Sequence, residues 1–431
     1  MKRFISFLIL SIIILLAAST LLQVKSCGEK LWGANSDTIS LPPVDNNLRL
    51  RIDSFLTNSP IEGCVGLEIY DITAQKEVYS YNKDSLMSPA SCMKLLTCTA
   101  ALHYMDANMP LRNRLYISGD MKGDTLVGNL ILKTQFDAAF NRDTLNHLLD
   151  DLKHHGITCI KGNVLLDIMF TQPMNHEEHW VIGDLHTRYM GILLHGFDRV
   201  KTEMLSAMRA KGIALVDGQV TYGKLNPRKS TLITENRNTL HSMIEKSLKV
   251  SSNINAEALL YPLGYLYDKK GHYRENGKQQ LRNFLRKELN VEPSMVCNID
   301  DGCGLCPNDK LTADLLIRLL AYCAKYPRIY REVINDMPLS GVDGTLYKRM
   351  QHPDIKGKLR GKTGTLTREG GISTLAGYFI GKDNHLIAYA IMNNGCGVEN
   401  GRAWQDRFCQ HALQPQVIMG ELHPTDSIAS D

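Results

Sequence analysis

A chain of 431 residues with 44% hydrophobic and 22% charged side chains can build a full core in two or three domains, which excludes a disordered or fibrous protein. The net charge of +4 is mild and no basic cluster is interleaved with aromatics, so nucleic acid is not an expected partner. Eleven scattered cysteines, an odd number, are not the framework of a disulfide-stapled scaffold, and most read as small buried hydrophobes.

Met1-Lys2-Arg3 precedes an apolar run over residues 4–24, which reads as an export segment, so residues 1–26 are taken as a signal or anchor. Val24-Lys25-Ser26-Cys27 resembles a bacterial lipobox, although Lys25 fits it awkwardly. An uncleaved anchor is the alternative, since about 20 apolar residues span a bilayer. Ordinary cleavage to a soluble periplasmic protein is a third outcome. Residues 27–46, with Pro42-Pro43, read as a linker. A short helix over 48–56 follows, then strands at 64–70 and 77–79 joined through Thr73-Ala74-Gln75-Lys76.

Next comes Ser88-Pro89-Ala90-Ser91. Pro89 disfavours a helix through Ser88, and the apolar positions after Ser91 predict a buried helix ending near Met105. A serine here is either an N-cap or a nucleophile. Ser91 and Lys94 are three apart and share a helix face. A lysine held in apolar surroundings loses solvation, its pKa falls, and its neutral amine can take the serine proton. Ser80-Tyr81-Asn82-Lys83 has the same spelling, but it sits in a polar turn where nothing desolvates the lysine. Cys92 and Cys98 read as packing residues.

Over 110–233 strands at 125–133, 162–168 and 218–222 alternate with helices at 142–155 and 199–211. Each helix is followed by His-Gly or Lys-Gly, a C-cap signal. Residues 148–166 and 205–222 share a helix–Gly–Ile–strand outline that does not amount to a repeat. Helices are expected at 239–250, 256–264, 277–289 and 312–325, with glycine-rich turns at 300–306 and 338–346. Cys303-x-x-Cys306 has no second pair to complete a zinc site, so no metal is expected. Strands 373–380 and 385–392 form a hairpin through Gly381-Lys382-Asp383-Asn384. A last helix spans 403–413, and 421–431 is a polar, disordered tail.

Ser91-x-x-Lys94, Ser251-x-Asn253 and Lys362-Thr363-Gly364 occur in the order and local settings of the penicillin-recognising serine enzymes. In longer form they read Pro89-Ala90-Ser91-x-Met93-Lys94-Leu95, Lys249-x-Ser251-x-Asn253-x-x-Ala256-Glu257, and Lys362-Thr363-Gly364-Thr365-Leu366 with Leu375-Ala376-Gly377-Tyr378. With them, residues from about 60 to 400 resemble the S13 peptidases, D-Ala-D-Ala carboxypeptidase/endopeptidases of the penicillin-binding protein 4 type. Asp301-Gly302-x-Gly304-Leu305 and Gly341-Val342-Asp343-Gly344-Thr345-Leu346 are further family-like stretches. There are three departures. Cys303 and Cys306 stand where the family usually has serines. Ser252 stands where aspartate is common, at a position that varies. The insert between Lys94 and Ser251 is short, so one inserted lobe is expected, with the family's nested second domain missing near His195-Gly196.

The resemblance implies an α+β fold: a serine β-lactamase/transpeptidase-like domain, an antiparallel sheet flanked by helices plus a helical lobe, with an inserted α/β lobe. The catalytic domain would take 47–109 and 236–420, and the insert 110–235. The hairpin at 64–79 would supply outer strands, and the strand through 362–366 the active-site edge. Ser91 would attack the penultimate D-Ala carbonyl and form an acyl-enzyme, with Lys94 as base. Ser251 would pass a proton to the leaving amine, and Asn253 would hold Lys94 and the substrate amide. Lys362 would depress the pKa of Lys94 and attract the terminal carboxylate, which the hydroxyls of Thr363 and Thr365, on either side of Gly364, would bind. The amides of Ser91 and Thr365 would form the oxyanion hole. Water would deacylate the enzyme, without a cofactor. The implied partners are peptidoglycan stem peptides, β-lactam antibiotics as inhibitors, and a membrane tether at Cys27. The alternatives are a β-lactamase, against which the large insert speaks, and a non-catalytic wall-binding protein, against which the complete polar set speaks. Cys303 and Cys306 either close a disulfide or stay two thiols filling serine-sized space; the reading favours the thiols.

Overall fold

The computed structural model describes residues 45–174, 180, 190–292 and 298–420. The expected export segment, Cys27 and the tail over 421–431 lie outside the described residues.

Helix α1 (Asn46–Asn58) starts at Asp45, whose side chain accepts the Asn47 amide. Strands β1 (Cys64–Asp71) and β2 (Lys76–Tyr81) form the expected hairpin. A 3-10 turn, Ala90–Cys92, leads into α2 (Met93–Tyr104), every residue of which from Met93 to Leu102 is buried. A helix apolar on all sides belongs at the centre of a domain. That burial takes Lys94 into the core with it.

Strands β3 (Pro110–Lys122), β4 (Thr125–Lys133), β5 (Cys159–Lys161), β6 (Val164–Asp167), β7 (Ala214–Val216), β8 (Val220–Tyr222) and β9 (Thr231–Thr239) make a seven-stranded sheet. Helices α3 (Arg142–His154) and α4 (Gly196–Ala210) belong to the same stretch. β3 pairs antiparallel with β4 and β9, and the remaining pairings are parallel. Two successive helix–strand–strand units lie side by side, with β7 on β5 and β8 on β6. The shared outline of 148–166 and 205–222 is therefore a structural repetition. Strands β3 and β9 are not among the elements expected from the sequence. Both are charged and half-exposed, and β3 shows its period of two mainly at Leu111, Asn113 and Leu115. Their charges are paired across the ladder, Glu235 with Arg112 and Arg114. Pro110 lies opposite Thr239, so the two ends of this stretch meet.

Five helices follow: α5 (Leu240–Lys249), α6 (Asn253–Ala258), α7 (Leu260–Tyr267), α8 (Tyr273–Glu288) and α9 (Ala313–Lys325). Next is α10 (Pro327–Asp336), hidden in the sequence behind its opening proline. Strands β10 (Leu359–Leu366), β11 (Ile372–Ile380) and β12 (Leu386–Asn394) join the first hairpin in an antiparallel sheet ordered β10-β11-β12-β1-β2. β11 and β12 are almost wholly buried because α9 packs on β11 and β12 and α11 (Val398–Phe408) packs on β11. Thus both chain regions contribute to one sheet, with β10 at one edge and β2 at the other. The fold is α+β, as the sequence implied.

Candidate active site

The edge strand β10, the start of α2 and the start of α6 converge on one cleft of about 270 Å³. Ser91, Ser251, Asn253, Thr363 and Thr365 line it, together with Thr345, Arg349 and Arg402.

Two glycines let the backbone close around Ser91. A Cβ on Gly364 would lie 1.9 Å from Thr374 Oγ1 and 2.6 Å from the Pro89 carbonyl. A Cβ on Gly304 would lie 1.8 Å from the Ala90 carbonyl, and Gly304 also has φ +77°. Ala90 itself is held at φ +43°. Thr374 donates to the Pro89 carbonyl at 2.7 Å and so ties the turn to the sheet. Ser91 makes no capping bond to the helix it precedes, so the N-cap explanation fails.

Lys94 Nζ lies 2.8 Å from Ser91 Oγ, 2.8 Å from Asn253 Oδ1 and 2.6 Å from the Cys303 carbonyl. Two of these partners can only accept. A neutral amine has two hydrogens, and they fill those two positions, leaving its lone pair on the Ser91 hydroxyl. Burial of Lys94 holds its pKa below that of an ordinary lysine.

The second motif divides its labour. Ser252 caps α6 by accepting the Asn255 amide. Ser251, at φ +59°, is left free to meet Lys362, whose Nζ is 2.8 Å from Ser251 Oγ and 2.6 Å from the Thr363 carbonyl. Lys362 is fully buried and does not line the cleft. Burial, followed by the charge of Lys94, pulls its pKa down to about 7. Thr363 shares a hydroxyl–hydroxyl bond of 2.7 Å with Thr345, and Thr365 Oγ1 accepts from Arg402 at 3.1 Å.

The turn over 300–306 is organised by carboxylates. Asp301 accepts the amides of Cys303, Gly304, Leu305 and Cys306, and Glu257 accepts the Gly302 amide while pairing with Arg274. This fixes the Cys303 carbonyl on Lys94. Glu257, Asp301 and Cys303 lie close enough to share an ion, but the two carboxylates are already committed to these bonds. Cys303 and Cys306 are both free, and burial pushes both thiols up, Cys306 to about 12. The competing Ser80 motif is different: Lys83 sits 2.6 Å from Glu77 and 3.6 Å from Glu68. Burial works against its charge, but those carboxylates win and raise its pKa.

Sequence reasoning missed Thr345, Arg349 and Arg402 as cleft residues. Thr345 lay within a quoted stretch without a role. Arg402 lies 37 residues from Thr365 on a surface-like helix, and nothing local marks it.

The family model for the D-Ala-D-Ala carboxypeptidase 3 (S13) family matches residues 48–193 and 198–414. The D-alanyl-D-alanine carboxypeptidase DacB of Haemophilus influenzae is 21% identical, over 84% of this chain and 91% of that protein. A D-alanyl-D-alanine carboxypeptidase of Actinomadura sp. is 22% identical, over 81% of each. The crystal structure of penicillin binding protein 4 (dacB) from Haemophilus influenzae superimposes with a TM-score of 0.70 at 19% identity, covering 83% of this chain and 97% of that one.

Proposed function

The chain belongs to the D-Ala-D-Ala carboxypeptidase 3 (S13) family, and on that premise we propose that it is a penicillin-binding, serine-type D-alanyl-D-alanine carboxypeptidase/endopeptidase acting on peptidoglycan peptides. The observation that carries the reading is the Lys94 amine, buried and bonded to Ser91, Asn253 and the Cys303 carbonyl. Lys94 takes the Ser91 proton, and Ser91 Oγ bonds to the carbonyl carbon of the penultimate D-Ala. The amides of Ser91 and Thr365 hold the oxyanion. The C–N bond then breaks as Ser251 gives its proton to the departing amine and takes back the one Lys94 holds, which returns Lys94 to the neutral amine, while Lys362 supports Ser251. Water, activated by the same lysine, hydrolyses the ester. Asn253 orients Lys94 and the substrate amide. Thr363 and Thr365 present hydroxyls to the terminal carboxylate, and Gly364 lets the strand approach the Ser91 turn. No step calls for a cofactor. β-Lactams would acylate the same serine and inhibit.

Fluorescent penicillin tests this directly. Ser91→Ala is expected to take no label and release no D-Ala, whereas Ser80→Ala keeps both. Labelling of Ser91→Ala at the unmodified rate would sink the assignment. Rapid release of hydrolysed penicillin would favour a β-lactamase.

The same reading places the enzyme outside the cytoplasm, at the wall it cuts. The apolar run over 4–24 supports export, with Cys27 as a lipid-carrying tether. A mass spectrum of the mature N-terminus with no lipid on Cys27 would remove the tether. We also propose that 47–109 and 236–420 form the catalytic domain, with 110–235 as one inserted lobe. The pairing of Pro110 with Thr239 supports that boundary.

A further inference from the structure

An enzyme that cuts beside a chain terminus must bind a carboxylate, and the cleft poses the question of which cation does so. Lys362, the lysine of the third motif, is buried, bonded to Ser251 and to the Thr363 carbonyl, and absent from the cleft wall. Lys94 is spent on Ser91, Asn253 and Cys303. Among the described residues two guanidiniums remain on the wall, Arg349 and Arg402. Arg349 is closed off by a salt bridge to Asp406 at 2.6 Å and by bonds to Gln405 and to the Arg402 carbonyl. Its side chain is 13% exposed.

Arg402 is different. Its side chain is 35% exposed, and one terminal nitrogen rests on Thr365 Oγ1. Its other terminal nitrogen meets Glu399, which is 82% exposed and so an easily displaced partner. The helix that carries it is rigidly seated. A Cβ on Gly401 would lie 2.8 Å from Ser373 Cβ, and Gln405 is bonded to the Ser373 carbonyl and to Asn393. The polarity is also right. Because Arg402 donates to Thr365 Oγ1, the Thr365 hydroxyl hydrogen is free to point into the cleft. An anion there meets a guanidinium and a hydroxyl donor side by side, an arrangement suited to a carboxylate.

We propose that Arg402 is the residue that binds the substrate carboxylate next to the scissile bond on the leaving-group side, and that it sets the preference for peptides ending in a free acid. The inference rests on the acyl-transfer reading of the cleft and adds the specificity residue to it.

The test uses an acylated tripeptide ending in D-Ala-D-Ala, as the free acid and as the C-terminal amide. Values of kcat and KM are measured for the full chain, for Arg402→Gln and for Arg402→Lys. Arg402→Gln is expected to lose about 10- to 100-fold in kcat/KM on the acid, mostly through KM, so that the acid-over-amide ratio collapses. Arg402→Lys is expected to recover part of that ratio. An equal loss on acid and amide, or no loss on the acid, overturns the proposal. If the unmodified chain turns over neither peptide, the catalytic reading fails and binding decides the role of Arg402. Calorimetry on Ser91→Ala should then show a preference for the acid that disappears in the Ser91→Ala, Arg402→Gln double variant. Absence of that preference in Ser91→Ala overturns the proposal as well.

Discussion

At the scale of the residue, the proposed acyl transfer turns on two buried lysines that cannot both carry a proton cheaply. Burial lowers both pKa values, and that of Lys362 falls to about 7. Lowering the pH adds the missing proton. A protonated Lys94 has three hydrogens and no lone pair, so Ser91 can then only accept from it. Acylation of Ser91 by penicillin is therefore expected to fall about tenfold per pH unit once the pH drops through the lowered pKa of Lys94. Lys362→Met removes the neighbouring charge, so Lys94 should bind its proton more readily and the acid limb should move to higher pH. Acylation rates measured from pH 5 to 9 check both statements. A flat profile, or a limb that moves to lower pH in the variant, contradicts them.

At the scale of the element, the turn over 300–306 acts through its backbone. Its carbonyl at Cys303 orients Lys94, and its shape comes from Asp301 and Glu257 rather than from the cysteines. Asp301→Ala strands four buried amides, each worth about 1–3 kcal/mol when unsatisfied. The variant is expected to lose several kcal/mol in urea unfolding, on the order of 3 or more, and its penicillin labelling with it. The Cys303→Ser, Cys306→Ser double variant should keep its labelling within about threefold, because serine fits the same space. Loss of labelling in the double variant with Asp301 intact would show that the thiols themselves matter. Titration under denaturation should give the same thiol count for these two cysteines before and after reduction, since both are free.

At the scale of the whole molecule, residues 110–235 are fastened to the helices that follow them by aromatic packing. Phe170 meets Tyr261 with ring centroids 4.7 Å apart, and Phe136 meets Phe170, Tyr265 and Tyr273 at 5.6–5.7 Å. These rings join β4–α3 and β6–α4 connections to α7 and the start of α8. Phe170→Ala is expected to destabilise the chain by about 3–5 kcal/mol while keeping a single unfolding transition. Urea titration followed by tryptophan fluorescence and by circular dichroism gives the answer. Two separated transitions in the unmodified chain would show that the two parts unfold independently.

Elements with strong periodicity and residues that lie in local motifs are legible along the chain without the fold. The hairpin at the start, the buried helix after Ser91, the β11–β12 hairpin and the pair Ser91–Lys94 are all local, because spacing along the chain brings these groups together. Charged, half-exposed strands such as β3 and β9 left little trace, since their partners lie across a ladder and not along the chain. Tertiary structure alone decided what a motif residue faces. Lys362 reads as a cation for substrate, yet closing the edge strand against the 3-10 turn at Ala90–Cys92 buries it beside Ser251. Arg402, far along the chain on a polar helix, is the cation that the packing of α11 on β11 brings to the cleft. Whether a charge meets solvent, substrate or another charge depends on contacts between residues distant in sequence, and those contacts exist only once the sheet has closed.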